Sequence, residues 1–82
     1  MNLIKSMTFP LETLKNKRVE KGITQTAIAE NLGISLQFYS QIERGINTLS
    51  YANALRIAEF LGCTTDELFK RDFNQHEKAG LQ

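Results

Sequence analysis

The sequence predicts an all-α protein, a compact bundle of five short helices, and three features carry that expectation. Apolar residues recur at helical spacing in each segment. No stretch sustains the alternation of a strand. Gly22, Gly33, Gly45 and Gly62 cut the chain into helix-sized pieces. With 82 residues the chain has room for one domain, and a domain of that size buries only about 60–65% of its unfolded surface, so its helices must pack closely.

The first helix is expected to begin just after Pro10, whose fixed φ suits a helix entry, and to run to about Lys21 with Gly22 as its stop. The second follows Thr24, a good N-cap, and carries Ile28 and Leu32 four apart on one face before ending at Gly33. The third follows Ser35, a second N-cap, and reaches Arg44. The fourth follows Ser50 and covers Tyr51 to Leu61, with Ala54, Leu55, Ala58 and Leu61 inward and Gly62 after it. The fifth is short, from Thr65 to about Lys70, capped by Thr64 or Thr65, with Asp66 and Glu67 in the first turn where the helix dipole favours acids. These elements divide the chain into an arm (1–10), a helical domain (11–70) and a polar tail (71–82) expected to fray.

Composition narrows the function classes. A 41% hydrophobic and 23% charged chain falls in the ordinary range for soluble globular domains, which sets disordered and membrane classes aside. No apolar run is long enough for a signal sequence or a bilayer span. A single cysteine, Cys63, allows no internal disulfide and suits a reducing cytoplasm. That cysteine and the lone His76 make no metal site, and no cofactor is implied. No nucleophile–base pair, paired catalytic carboxylates or phosphate-cradling glycine loop is visible, so the chain does not read as an enzyme. The net charge of +1 is uneven: residues 1–56 carry seven Lys/Arg against four acids, residues 57–82 three against five. One face on a polyanion would produce that split, and so would ordinary surface scatter.

The informative stretch is QTAIAENLGISLQFYSQIERG, residues 25–45. It holds a short helix, a tight turn at Gly33-Ile34-Ser35 and a second short helix, the arrangement of a helix-turn-helix. Ala29 is small where the two helices approach, Gly33 supplies the positive φ that ends the first, and Ile28, Leu32, Ile34, Tyr39 and Ile42 fill the crossing. Two adjacent amphipathic helices without a DNA role would need the same apolar residues, though not so many in register. At roughly 100° per residue, Leu36, Gln37, Ser40, Gln41 and Arg44 fall within an arc of about 140°, opposite Tyr39 and Ile42. Glutamine can bond bidentately to adenine, serine tolerates several partners and leucine can pack on a thymine methyl. Gln37 and Gln41 are therefore the expected primary base readers, with Ser40 and Leu36 secondary. Thr24 and Gln25 lie at a helix N-terminus, which attracts an anion. Arg44, Asn47, Ser50 and Tyr51 follow the reading helix and are expected at the phosphates beyond it.

Over roughly residues 11–70 the chain resembles the lambda-repressor-like, Cro-type helix-turn-helix regulators. The matching segments are LKNKRVEKGITQTAIAENLGIS, SQIERG and LSYANALRIAEFLGCTTDELF. The resemblance implies that the helix at about 36–44 lies in the major groove, that Gln25 contacts the phosphate backbone, and that Arg18 and Glu43 form a partly buried salt bridge which orients rather than reads. Two departures stand out. Tyr39 occupies a position more often held by Ile or Val, so its hydroxyl needs a partner. The loop Ile46-Asn47-Thr48-Leu49-Ser50 lacks the basic residue and proline often found there, which lowers phosphate neutralisation by one copy and favours a dimer.

The function this implies is a transcriptional regulator, in the first place a repressor, binding a pseudo-palindromic double-stranded DNA operator as a homodimer. Leu61, Leu68, Phe69 and Phe73 are candidates for the dimer surface or for the core, Leu68 rather for the core; Ile4, Met7 and Phe9 of the arm are the other candidates. The competing expectation, of a different class, is a module that works by binding protein, such as an antitoxin that keeps the same fold.

Overall fold

The computed structural model describes residues 9–74. Among them are α1 (Glu12–Glu20), α2 (Gln25–Leu32), α3 (Leu36–Glu43) and α4 (Tyr51–Leu61), followed by a fifth helix over 65–74 in which Asp66–Lys70 is π-helical. No strand occurs among the described residues. α2 packs on both α3 and α4, while α1 packs on α3 and on the fifth helix.

Each of the three middle helices starts on a hydroxyl cap. The side-chain oxygens of Thr24, Ser35 and Ser50 accept from the N–H groups of Ala27, Phe38 and Asn53 at 3.0, 3.0 and 3.1 Å. Each bond satisfies one of the donors that a helix start leaves without an intrahelical partner. α2 stops at Gly33, which holds φ +74° and lets the N–H of Ile34 return to the carbonyl of Ala29 at 3.0 Å. That geometry would strain any residue with a Cβ, and it sets the tight turn into α3. Before the fifth helix Thr64 is the capping residue: its Oγ1 accepts from the Glu67 N–H at 3.0 Å, while the Glu67 carboxylate accepts from the Thr64 N–H at 2.7 Å. This reciprocal box holds the Glu67 carboxyl below its ordinary pKa, chiefly through the Thr64 backbone bond.

The core is one apolar cluster. Leu11 and Leu14 meet Ile28, Ala29 and Leu32 of α2, Tyr39 and Ile42 of α3, Ile57 and Leu61 of α4, and Leu68 and Phe69 of the fifth helix. Leu14, Ile28, Tyr39, Ile42, Ile57 and Leu68 are fully buried, each burial worth on the order of 1.5–3 kcal/mol.

Two expectations change. Leu55, expected on the inward face of α4, is 45% exposed. The buried row is Ala54, Ile57, Ala58 and Leu61, at helical spacing i, i+3, i+4, i+7, and Leu55 lies about 100° round from Ala54. The polar tail was expected to start at residue 71, yet the fifth helix runs to 74 and Asp72 is only 6% exposed. Its Oδ2 accepts from the Thr13 N–H at 2.9 Å, capping α1, whose own N-cap Leu11 has no side-chain acceptor. Of the candidate dimer residues, Leu61, Leu68 and Phe69 are core, whereas Phe73 keeps an exposed edge. Phe9 packs partly against the core, while Ile4 and Met7, like the remainder of the tail and His76, lie outside the described residues.

Candidate nucleic-acid interface

α3 is held from below by a buried row. Tyr39 and Ile42 sit in the core, and Glu43 stands at the centre of a polar network that spans three helices. Arg18 of α1 donates from Nε to Glu43 Oε2 at 2.7 Å and from Nη2 to Oε1 at 3.1 Å, while its Nη1 donates to the Ile23 carbonyl at 2.9 Å. Gln25 Nε2 donates to Glu43 Oε1 and the Tyr39 hydroxyl to Oε2, both at 2.9 Å. Burial opposes ionisation of Glu43, but the bonds from Arg18, Gln25 and Tyr39 outweigh it and hold the carboxyl below its ordinary pKa. Burial first, and the Glu43 charge second, push the Tyr39 phenol far above its usual range. The hydroxyl of Tyr39 has thus found its partner inside the protein, and the salt bridge between Arg18 and Glu43 forms with both side chains almost wholly covered.

The opposite side of α3 faces outward. Leu36, Gln37 and Arg44 are exposed, and Ser40 is half-buried. Gln41 differs from Gln37: it is half-buried, and Asn47 Nδ2 donates to its Oε1 at 2.5 Å. The two glutamines expected to offer the same free amide therefore present different chemistry. Thr24 and Ser50 are exposed, their oxygens already accepting cap bonds, and Tyr51 projects into solvent at 75% exposure. Gln25, expected at a phosphate, is half-buried and spends one amide hydrogen on Glu43, which leaves the other. A shallow cleft of about 310 Å³ runs beside it, lined by Pro10, Glu12, Lys15, Gln25, Ser40, Glu43 and Arg44.

One further residue, Phe38, stands outward on α3. Phe38 is 39% exposed and lies next to Gln41 on the helix wheel, outside the buried row. As an apolar residue beside Tyr39 it reads as core; only its angle relative to Tyr39 and Ile42 marks it as surface. The arm also bears on the site. The Leu11 N–H donates to the Glu43 carbonyl at 3.0 Å, and a Cβ added at Gly45, where φ is +81°, would stand 2.6 Å from Pro10 N. Residues 9–10 therefore cross directly over the end of α3. Among the described residues no group of three or more His, Cys, Asp or Glu is arranged to hold a metal, and no helix is long and apolar enough to cross a membrane.

Two helices meeting at a left-handed glycine turn, the second pinned inward and polar outward, define the class of helix-turn-helix domains. The chain belongs to the helix-turn-helix family HTH_3, of XRE type, whose model matches residues 14–68. It is 33% identical over 64 residues to an uncharacterised HTH-type transcriptional regulator, YqaE, of Bacillus subtilis (strain 168), a match covering 78% of this chain and 55% of the relative. The chain thus spans about half the length of that curated relative. Among solved structures it is similar to the restriction-modification controller protein C.AhdI from Aeromonas hydrophila, at TM-score 0.66 and 31% identity over 71% of this chain and 88% of that one. It is also similar to an HTH_3 family transcriptional regulator from Vibrio cholerae, at TM-score 0.67 and 29% identity over 84% and 39% of the two chains.

Proposed function

We propose that this chain is a sequence-specific regulator of transcription that reads double-stranded DNA by laying α3 in the major groove. The observation that carries this is the two-sided character of α3: Tyr39, Ile42 and Glu43 are locked inward while Leu36, Gln37 and Arg44 stand clear of the protein. A rigid helix with a free polar row can deliver side chains to base edges with little loss of conformational entropy on docking. Gln37 and Gln41 are the primary readers, with Ser40 and Leu36 beside them. Thr24 and Gln25 at the start of α2, and Arg44, Asn47, Ser50 and Tyr51 beyond α3, bracket the helix with phosphate contacts that fix its register. Catalysis has no part in this role, no cofactor or metal is needed, and the reducing cytoplasm is its setting.

The operator is a pseudo-palindrome bound by two copies, their reading helices in successive major grooves about 34 Å apart. Leu55 and Phe60 of α4, together with Phe73, supply exposed apolar surface for the second copy. A body seated across a promoter groove would exclude polymerase, so repression is the mode this reading favours.

Selection of bound sequences from a random duplex pool tests the proposal, combined with a salt titration on the winning site. The expected outcome is an inverted repeat whose affinity falls steeply and log-linearly with salt. Binding of a protein partner in preference to any duplex, with little salt dependence, would instead fit a protein-binding module.

A further inference from the structure

The loop after α3 folds back onto the helix it follows. The backbone N–H groups of Ile46 and Asn47 both donate to the Gln41 carbonyl, at 2.8 and 3.2 Å. Leu49 anchors the far end of this loop in the core, and the close passage of Phe9 and Pro10 over Gly45 fixes its near end. The half-buried side chain of Asn47 is thereby set against that of Gln41, and its Nδ2 bonds the Gln41 Oε1. Among the described residues no acceptor takes the Nε2 hydrogens of Gln41.

A free glutamine reads adenine with both ends of its amide: Nε2 donates to N7 while Oε1 accepts from N6. With its carbonyl turned to the loop, Gln41 keeps only the donor end for the groove. Guanine offers two acceptors there, N7 and O6, and thymine offers O4, whereas adenine sets its N7 beside an N6 amino donor that a donor-only partner leaves unpaired. We propose that Asn47 is a positioning residue for specificity: by holding the Gln41 carbonyl it makes Gln41 a donor-only reader that favours guanine or thymine over adenine. This inference rests on the reading that α3 docks in the major groove. It separates Gln41 from Gln37, whose exposed amide has no such clamp and keeps both ends for a base.

The test is base selection from a random duplex pool by the full chain and three variants, Gln41→Ala, Asn47→Ala and Asn47→Asp. Gln41→Ala identifies the base position concerned, since preference there alone should flatten. Wild type should favour guanine or thymine at that position. Asn47→Ala frees the amide, and discrimination against adenine there should drop by about fivefold, the scale of one net hydrogen bond. Asn47→Asp offers only acceptors, so it draws Nε2 to the loop, turns Oε1 outward and should move the preference to adenine or cytosine, which present amino donors. Enrichment of any site by a variant shows that it is folded. The proposal is overturned if wild type takes adenine at the Gln41 position, or if both Asn47 variants keep the wild-type preference there while Gln41→Ala changes it. Wild type enriching no sequence at all would instead overturn the groove-binding reading, and this inference with it.

Discussion

Taking away Arg18 would leave the Glu43 carboxylate covered by protein with only Gln25 and Tyr39 to serve it. The two side chains of that pair are nearly inaccessible, so neither water nor salt can replace the lost partner. Arg18→Met should therefore destabilise the fold by about 3–5 kcal/mol, the usual size for breaking a buried pair from one side, measured by urea denaturation. The same network sets a pH dependence. The Glu43 pKa is lowered from 4.5 in the folded state, so its contribution is fully present above that value and drains away as pH falls through the folded pKa. Stability should decline below about pH 4.5, and a profile unchanged down to pH 3 would contradict the network. Gln37 belongs to the other side of the helix. Gln37→Ala should cost about 1–3 kcal/mol of affinity on the selected site and leave the melting temperature unchanged, as read by fluorescence titration alongside thermal unfolding.

At the scale of elements, the helix starts and stops were legible because they are written in local chemistry. Thr24, Ser35 and Ser50 announce caps within three residues of the bonds they form, and Gly33 announces a turn through its own φ. What stayed hidden depends on partners distant in sequence. Asp72 reads as tail because nothing near residue 72 shows that the start of α1, 59 residues away, has no side-chain cap of its own. Leu55 reads as inward by its residue type; the phase of α4 against α2 decides otherwise and places Ile57 there instead. The clamp of Asn47 on Gln41 needed the path of the loop, which the apolar pattern does not contain. Two predictions belong here. Asp72→Ala removes an N-cap acceptor and should cost about 0.5–2 kcal/mol, with faster amide exchange in the first turn of α1. Gly45→Ala should destabilise by more than an ordinary surface change, because the new Cβ meets backbone at residues 9–10 as well as an unfavourable φ; a Tm equal to wild type would mean that this crossing gives way easily.

For the molecule as a whole, division of labour follows from one inward-pinned helix. α1 packs on α3 and the fifth helix, α2 packs on α3 and α4, and α3 keeps an exposed row of uncharged polar side chains over its buried one. Family membership was legible from the motif between residues 25 and 45; the chemistry of the outward face of α3 was legible only in part, since Phe38 is surface by its angle on the helix and Gln41 is engaged by the loop that follows. The most direct test is a map of backbone amide shifts in labelled protein titrated with the selected duplex. Changes should concentrate at 24–25, 36–44 and 47–51, with α3 foremost. Shifts gathered on Leu55, Phe60 and Phe73, with Leu36 to Gln41 unmoved, would show that this helix does not meet the DNA.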